Sequence, residues 1–321
     1  MAKALVTGAT GFIGSQLCRK LVVLGAEVHA VSRNPPNELE VWWRSAGGDI
    51  SDAALAAKIR WWSANLTDFT ATRKLIRTIR PEVTYHLASQ VTGSRNIEMV
   101  LPLLQNNFVS AVNLLLAAAE GSTHRILLAG SFEEPEGVDP VPCSPYAAAK
   151  WSASSYARMF RALYQVDVVV AKIFMVYGPG QADYTKLIPY VITTLLRGEA
   201  PRLTSGLRML DWIYVDDVVN GLIASAQGPP TDDRPIDLGS GQEYSIREIV
   251  KQLTNLIPGA PEPLFEALPD RPLERLGKSD IGRSHNLIGW GPSTILESGL
   301  SRTVEWYKRC MFWNRTQGSG E

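Results

Sequence analysis

The stretch Lys3–Leu17, KALVTGATGFIGSQL, decides the reading of this chain. Its apolar run at 4–6 has the composition of a short strand. Gly8, Gly11 and Gly14 then form a glycine-rich turn, and Phe12, Ile13 and Leu17 begin the apolar face of a helix. A strand, a bare turn and a helix in that order leave backbone N–H groups at a helix N-terminus with no side chain over them. A pyrophosphate can sit against such a terminus. The turn also follows the first strand of the chain, which is where a dinucleotide-binding sheet needs it. The spacing is Gly-x-x-Gly-x-x-Gly rather than the commoner Gly-x-Gly-x-x-Gly.

Outward from the turn, strand-like runs at 4–6, 27–31, 60–63, 83–87, 125–129 and 167–173 alternate with amphipathic stretches at 15–23, 69–79, 107–119 and 147–164. That alternation predicts an α/β protein with a parallel sheet and crossover helices. The segment 34–57 is less regular, with Pro35 and Pro36 marking a turn. Beyond Gly178-Pro179-Gly180 short elements mix with Pro and Gly at 198–203, 235–241 and 268–272, as expected of a smaller lobe interleaved with the first. The 321 residues contain no internal repeat, and their 32 basic and 32 acidic side chains balance. Balanced charge gives no electrostatic case for nucleic acid or an anionic membrane as partner. Cys18, Cys143 and Cys310 have no metal-ligand spacing, and their odd number suits a reducing, cytoplasmic setting. No signal segment or membrane span is expected.

A second constellation carries the chemistry. Tyr146 and Lys150 are four residues apart, so on a helix they share a face. A free phenol has a pKa near ~10, and a neighbouring ammonium is expected to lower it. Ser131, just beyond the run at 125–129, is then placed to hydrogen-bond a carbinol or carbonyl oxygen. Together the three groups make an acid–base device for hydride transfer at a C–OH centre.

With these residues in hand, the chain resembles the extended short-chain dehydrogenase/reductases, chiefly those acting on nucleotide-sugars. Gly8, Gly11 and Gly14 are similar to the family's TGxxGxxG turn, and His86-Leu87-Ala88 to its HxA motif. Asn107 resembles its structural asparagine, and Ser131, Tyr146 and Lys150 its triad. Val176–Gln181, Asp211–Asp217, Pro269–Pro272 and Leu287–Trp290 resemble later motifs in the same order. The resemblance implies a Rossmann-type doubly wound sheet over 1–173 that binds NAD(P), and a nucleotide-sugar lobe over 174–313. A tail at 314–321 is expected to be disordered. It further implies cofactor contacts from Thr10, Phe12, Ile13, Leu66, Leu87, Ala88 and Ser89, besides the glycines, Tyr146 and Lys150. Substrate contacts are implied for Thr92, Phe132, Phe174, Met175, Leu187, Leu203, Arg208 and Arg271, and Glu133 joins the catalytic set.

The end of the second strand bears on cofactor choice. An acidic residue there would chelate ribose hydroxyls, whereas Val31-Ser32-Arg33 offers a hydroxyl and a guanidinium suited to a 2′-phosphate. NADP(H) is therefore expected, with NAD(H) as the alternative. Asn65 stands where the family carries an Asp facing the adenine, and its amide is expected to pair with the exocyclic amine. Phe132 replaces the Asp of the 4,6-dehydratases, and GSFEEP resembles GSSEEYG of the 4-keto-6-deoxy-sugar reductases. The expected reaction is reduction of the C4 ketone of a nucleotide-linked 4-ketohexose. A 4-epimerase or dehydratase that retains NAD is the alternative. A non-catalytic relative on the same fold is a third class, but it commonly lacks the tyrosine or lysine kept here. Met175, in place of the family's asparagine, removes a polar contact to the diphosphate, and Arg208 and Arg271 are expected to supply it.

The remaining candidates read as structural. His86 sits in an apolar strand end and is expected to be packed. His29, His124 and His285 have no partners by spacing, so no metal is assigned. Trp42-Trp43 and Trp61-Trp62 are expected to pack. A homodimer is expected through helices at 107–119 and 147–164, where Ala147-Ala148-Ala149 and Ser152-Ala153-Ser154-Ser155 permit close approach.

Overall fold

The computed structural model describes residues 3–39, 42, 50–121, 125–229 and 234–317. Seven parallel strands form the main sheet: β1 (Lys3–Thr7), β2 (Glu27–Ser32), β3 (Arg60–Ser63), β4 (Val83–His86), β5 (Arg125–Ser131), β6 (Val168–Ile173) and β9 (Ile236–Leu238). Their order is β3-β2-β1-β4-β5-β6-β9. The order reverses between β1 and β4, and ligands of such sheets bind beyond the carboxyl ends of the strands at that point. Apolar side chains dominate β1 and β6 on both faces, as a sheet covered by helices requires.

Helices α1 (Phe12–Val23) and α6 (Val215–Gln227) cover one face; α2 (Phe69–Ile79), α3 and α4 (Pro145–Tyr164) cover the other. α3 runs as Val100–Leu103, a π-helical stretch Leu104–Val109 and Ser110–Ala119, so it starts earlier than its sequence pattern implies. A second, three-stranded sheet, β10-β8-β7, comprises β7 (Met175–Tyr177), β8 (Met209–Tyr214) and β10 (Glu243–Ser245). Helices α5 (Leu187–Leu196), α7 (Ile246–Asn255), α8 (Ile281–Ile288) and α9 (Leu296–Gln317) complete the chain. The sheet and the second half interleave because β9 returns to pair with β6, Lys172 opposite Asp237.

Among the three irregular stretches expected beyond residue 180, only 235–241 forms a strand. Arg202 makes an isolated bridge to Leu264, and 268–272 has no strand. Helix α9 continues through Gln317, and the rest of the tail expected over 314–321 lies outside the described residues. Ser131 is not beyond β5 but its last residue. The helix Ile97–Ala119 is long and apolar enough to span a membrane by length and composition, with a mean hydropathy of 1.4. This corrects the expectation that no segment reaches that threshold. In the fold one side of it packs inward, where Asn107 and Asn113 are buried and hydrogen-bonded.

Two carboxylates of the 211–217 motif hold loops rather than ligands. Asp211 is fully buried and accepts from the N–H groups of Ser240, Gly241 and Ser279 and the hydroxyls of Ser240 and Ser279. Asp217 accepts from Ser293 and Thr294. Buried acceptors satisfied this fully fix the backbone around them.

Candidate active site

The glycine turn is shaped by close approach. Gly8 has φ +68°, and a Cβ there would lie 2.7 Å from Ala88 N; one at Gly14 would lie 2.2 Å from Gly8 O. Neither position tolerates a side chain. Gly11 caps α1 without a side-chain hydrogen bond, which leaves the first turn of the helix open. This bare cradle at the sheet's reversal point fits the pyrophosphate of a dinucleotide.

One cleft gathers Gly8, Thr10, Gly11, Ser32, Arg33, Asn65, Leu66, Leu87, Ala88 and Ser89 from the ends of four strands. Thr67, Gln90, Asn106 and Ser110 line it too, and sequence reasoning missed them. Their signal was indirect. Asn107 accepts from Ser89 Oγ and Gln90 N and donates to Gln90 O, so the asparagine motif fixes the loop after β4. Phe12, Ile13 and Gly14 do not line the cleft: Gly14 packs on Gly8, and Ile13 packs against the core. Among the described residues none of those lining it is acidic. Arg33 is exposed at the rim, and Ser32 Oγ lies 3.2 Å from Thr10 Oγ1. Asn65 Oδ1 accepts from Thr67 N and Oγ1. Its oxygen is thus fixed by the loop at the edge of the cleft. Asp68 caps α2 by accepting from Ala71 N.

The acid–base group stands beside this cleft. Ser144 accepts from Ala147 N and Pro145 follows it, a strong start for α4. Tyr146 and Lys150 then share the buried face of that helix, against the end of β5. Lys150 Nζ donates to Ala129 O at 2.8 Å and lies 6.0 Å from the Tyr146 ring centroid. Burial raises the pKa of the Tyr146 phenol; Ser131 lies close enough to oppose the rise, and the charges of Glu133 and Glu134 push the same way as burial. The expectation of a phenol lowered by its lysine is thus corrected: with Nζ turned to Ala129 O, desolvation wins. Burial also lowers Lys150 to about 8, with Glu134 opposing.

Glu134 anchors the catalytic serine by accepting from Ser131 N at 2.7 Å, and burial raises its pKa. His86, also buried, lies 2.8 Å from Thr7 Oγ1 and is held neutral, at about 3, by burial and then by the charge of Lys150. It is the packed histidine expected from its position.

On the substrate side, burial raises Glu133 while Arg208, Lys186 and Arg271 lower it and Glu274 raises it. Five charges from four segments thus converge around Glu133. The Arg208 guanidinium lies 5.7 Å from the Phe132 ring centroid and 3.2 Å from Glu274, and donates to Arg275 O. Arg271 is exposed and donates to Gly93 O, while Thr92 accepts from Ser94 N. Phe132, Phe174 and Leu203 are buried, the two rings stacked 5.6 Å apart, and present little surface to a ligand. Leu187 and Met175 are half-buried against the core.

Elsewhere, His29 has partners that spacing did not suggest. Trp62 Nε1 donates to its Nδ1, which leaves Nε2–H to donate to Glu27. Trp61 packs edge-on against Trp42 at 5.0 Å, as expected of packing residues. Trp43 and His124 lie outside the described residues, and His285 is exposed. Among the described residues no three or more of His, Cys, Asp and Glu gather where they would share a metal ion.

The sheet, the bare cradle and the serine–tyrosine–lysine group define an NAD(P)-dependent enzyme of the extended short-chain dehydrogenase/reductase type. Residues 4–239 match the model of the NAD dependent epimerase/dehydratase family, and the chain belongs to that family. It is 28% identical over 319 residues to a UDP-glucose 4-epimerase of Mycolicibacterium smegmatis, covering 95% of this chain and 98% of that one. It is 30% identical over 324 residues to a dTDP-glucose 4,6-dehydratase of Streptomyces griseus, covering 96% and 95%. The crystal structure of a UDP-glucose 4-epimerase from Thermotoga maritima with UDP-glucose superposes with a TM-score of 0.83 at 25% identity, covering 96% and 99%.

Proposed function

We propose that this enzyme uses NADPH to reduce the C4 ketone of a nucleotide-linked 4-ketohexose. The observation that carries the reading is Arg33 at the rim of a cofactor cleft with no acidic group among its described lining residues. A guanidinium beside Ser32 favours a 2′-phosphate, and a phosphorylated cofactor suits exchange between turnovers. When bound, the cofactor supplies a hydride to C4. Ser131 and Tyr146 together hold the ketone oxygen as its negative charge develops. Tyr146, kept protonated by burial, gives that oxygen its proton. Lys150 supplies a positive charge beneath the phenol and steadies the tyrosinate left behind. Arg208 and Arg271 face the sugar diphosphate, and Glu133, whose N–H donates to Ser131 Oγ, stays with the reacting oxygen.

The test is incubation with NADPH and a 4-keto-6-deoxy nucleotide-sugar, with a product heavier by one hydride and one proton as the expected result. A second reading, an NAD-retaining 4-epimerase, draws support from the similarity to UDP-glucose 4-epimerases. Protein purified with tightly held NAD that interconverts two sugars of equal mass would establish it instead. The free thiols Cys18, Cys143 and Cys310 suit a cytoplasmic enzyme. The exposed apolar side chains Ile97, Leu101, Leu104, Tyr156 and Leu163 on α3, α4 and the turn before α3 support a homodimer. A monomer by light scattering would count against that arrangement.

A further inference from the structure

Residues 270–275 contain no helix or strand, yet polar contacts tie them to three separate loops. Ser205 N donates to Asp270, Arg271 donates to Gly93 O, and Arg95 donates to Pro272 O at 2.6 Å. Glu274 pairs with Arg208, whose guanidinium also donates to Arg275 O. Arg275 itself pairs with Glu136 at 2.6 Å. The segment is thus a strap over the carboxyl-end loops, including the one after β5 that carries Glu133 and Glu136. Apolar packing contributes little to it, because Leu273 and Leu276 are 70% and 62% exposed.

Glu136 is the unusual member. Its side chain is 61% exposed, yet its two oxygens meet cations that are almost out of water, Lys172 at 10% and Arg275 at 20%. Lys172 is fixed in β6 between Gly130 of β5 and Asp237 of β9. One carboxylate therefore joins the rigid sheet to the strap, just before Gly137 turns the chain back at φ +105°. We propose that Glu136 is a positioning residue that latches the 270–275 strap to the sheet and, through Arg275, holds Arg208 in place at the nucleotide-sugar cleft. The latch rests on the functional reading given above only for what the cleft binds. Without the carboxylate, two poorly hydrated cations lose a shared partner, and the strap keeps only its exposed contacts. The two cations hold Glu136 well below an ordinary carboxylate, at about 2, so the latch is charged across the working pH range.

The test uses Glu136→Gln and Arg275→Gln in the full-length enzyme. Each is expected to raise KM for the 4-keto-6-deoxy nucleotide-sugar about five- to tenfold, leaving kcat and NADPH affinity unchanged. The double variant should match the single ones, and Glu136→Asp should recover part of the loss. Trypsin applied without any nucleotide-sugar should cut at Arg275 or Lys278 faster in Glu136→Gln than in the parent. An unchanged rate of cutting overturns the latch whatever the substrate. An unchanged KM, an additive double variant, or a joint loss of kcat and NADPH affinity overturns it too. Faster cutting in a protein that transforms no nucleotide-sugar keeps the latch and discards the substrate reading.

Discussion

The two sides of the cleft are built by different physics. The cofactor side turns on three glycines close together in sequence, Gly8, Gly11 and Gly14, and its shape follows from what cannot fit there. The substrate side is made of charges brought from far apart: the contacts Arg95–Pro272 and Arg271–Gly93 span 177 and 178 residues. Steric exclusion is all-or-none, whereas exposed ion pairs contribute only about 0–1 kcal/mol each and act as a set. Substitutions should therefore fail abruptly on the first side and in graded steps on the second.

The largest effect is expected where the two sides meet. Tyr146→Phe should lower kcat about 10²–10⁴-fold while NADPH binds as before, because only the transferable proton is lost. Retention of full activity would remove Tyr146 as the acid. Next comes Gly14→Ala. Its Cβ would fall 2.2 Å from Gly8 O, and backbone on both sides leaves no flexible group to yield. We expect a loss of about 1–3 kcal/mol in stability and no measurable cofactor binding. A variant that melts and titrates like the parent would show that the turn is not set by sterics.

This division also explains what could be read in advance. β3 and α2 have the boundaries their patterns imply, Arg60–Ser63 and Phe69–Ile79, because alternation and helical periodicity are local. The glycine turn was legible for the same reason. The π-helical stretch of α3 was not: its loop contacts come from Asn106 and Asn107 binding Gln90, a tertiary constraint with no periodic signature. Nor was the strap, since Glu136, Glu274 and Arg275 resemble any solvated charges until the fold sets them together. The Tyr146–Lys150 spacing gave the right neighbours and the wrong electrostatics. Proximity follows from sequence, but desolvation depends on what covers the pair.

Arg33→Ala sharpens the comparison on the cofactor side with a smaller effect. A solvent-exposed guanidinium facing a 2′-phosphate is expected to contribute about tenfold in NADPH affinity and almost nothing for NADH. Equal losses for the two cofactors would mean that Arg33 only covers the adenine. High salt should shrink the difference, because the group lies at the rim.

The smallest and most diagnostic effect is a pH dependence. Lys150, at about 8 instead of the ordinary 10.5, is charged at neutral pH and loses its proton as pH rises through about 8. Without that positive charge the tyrosinate left after proton transfer is less stable, so kcat/KM at saturating NADPH should fall above about pH 8. Stability moves the other way. Between about 8 and 10.5 the folded chain holds fewer protons at this site than the unfolded one, so this lysine's contribution to stability rises with pH. Opposite slopes in rate and melting temperature over one window would be the signature of a buried, catalytically coupled lysine. Lys150→Arg keeps its charge and should flatten both. An alkaline fall in rate that survives in the arginine variant would assign the titration to another group.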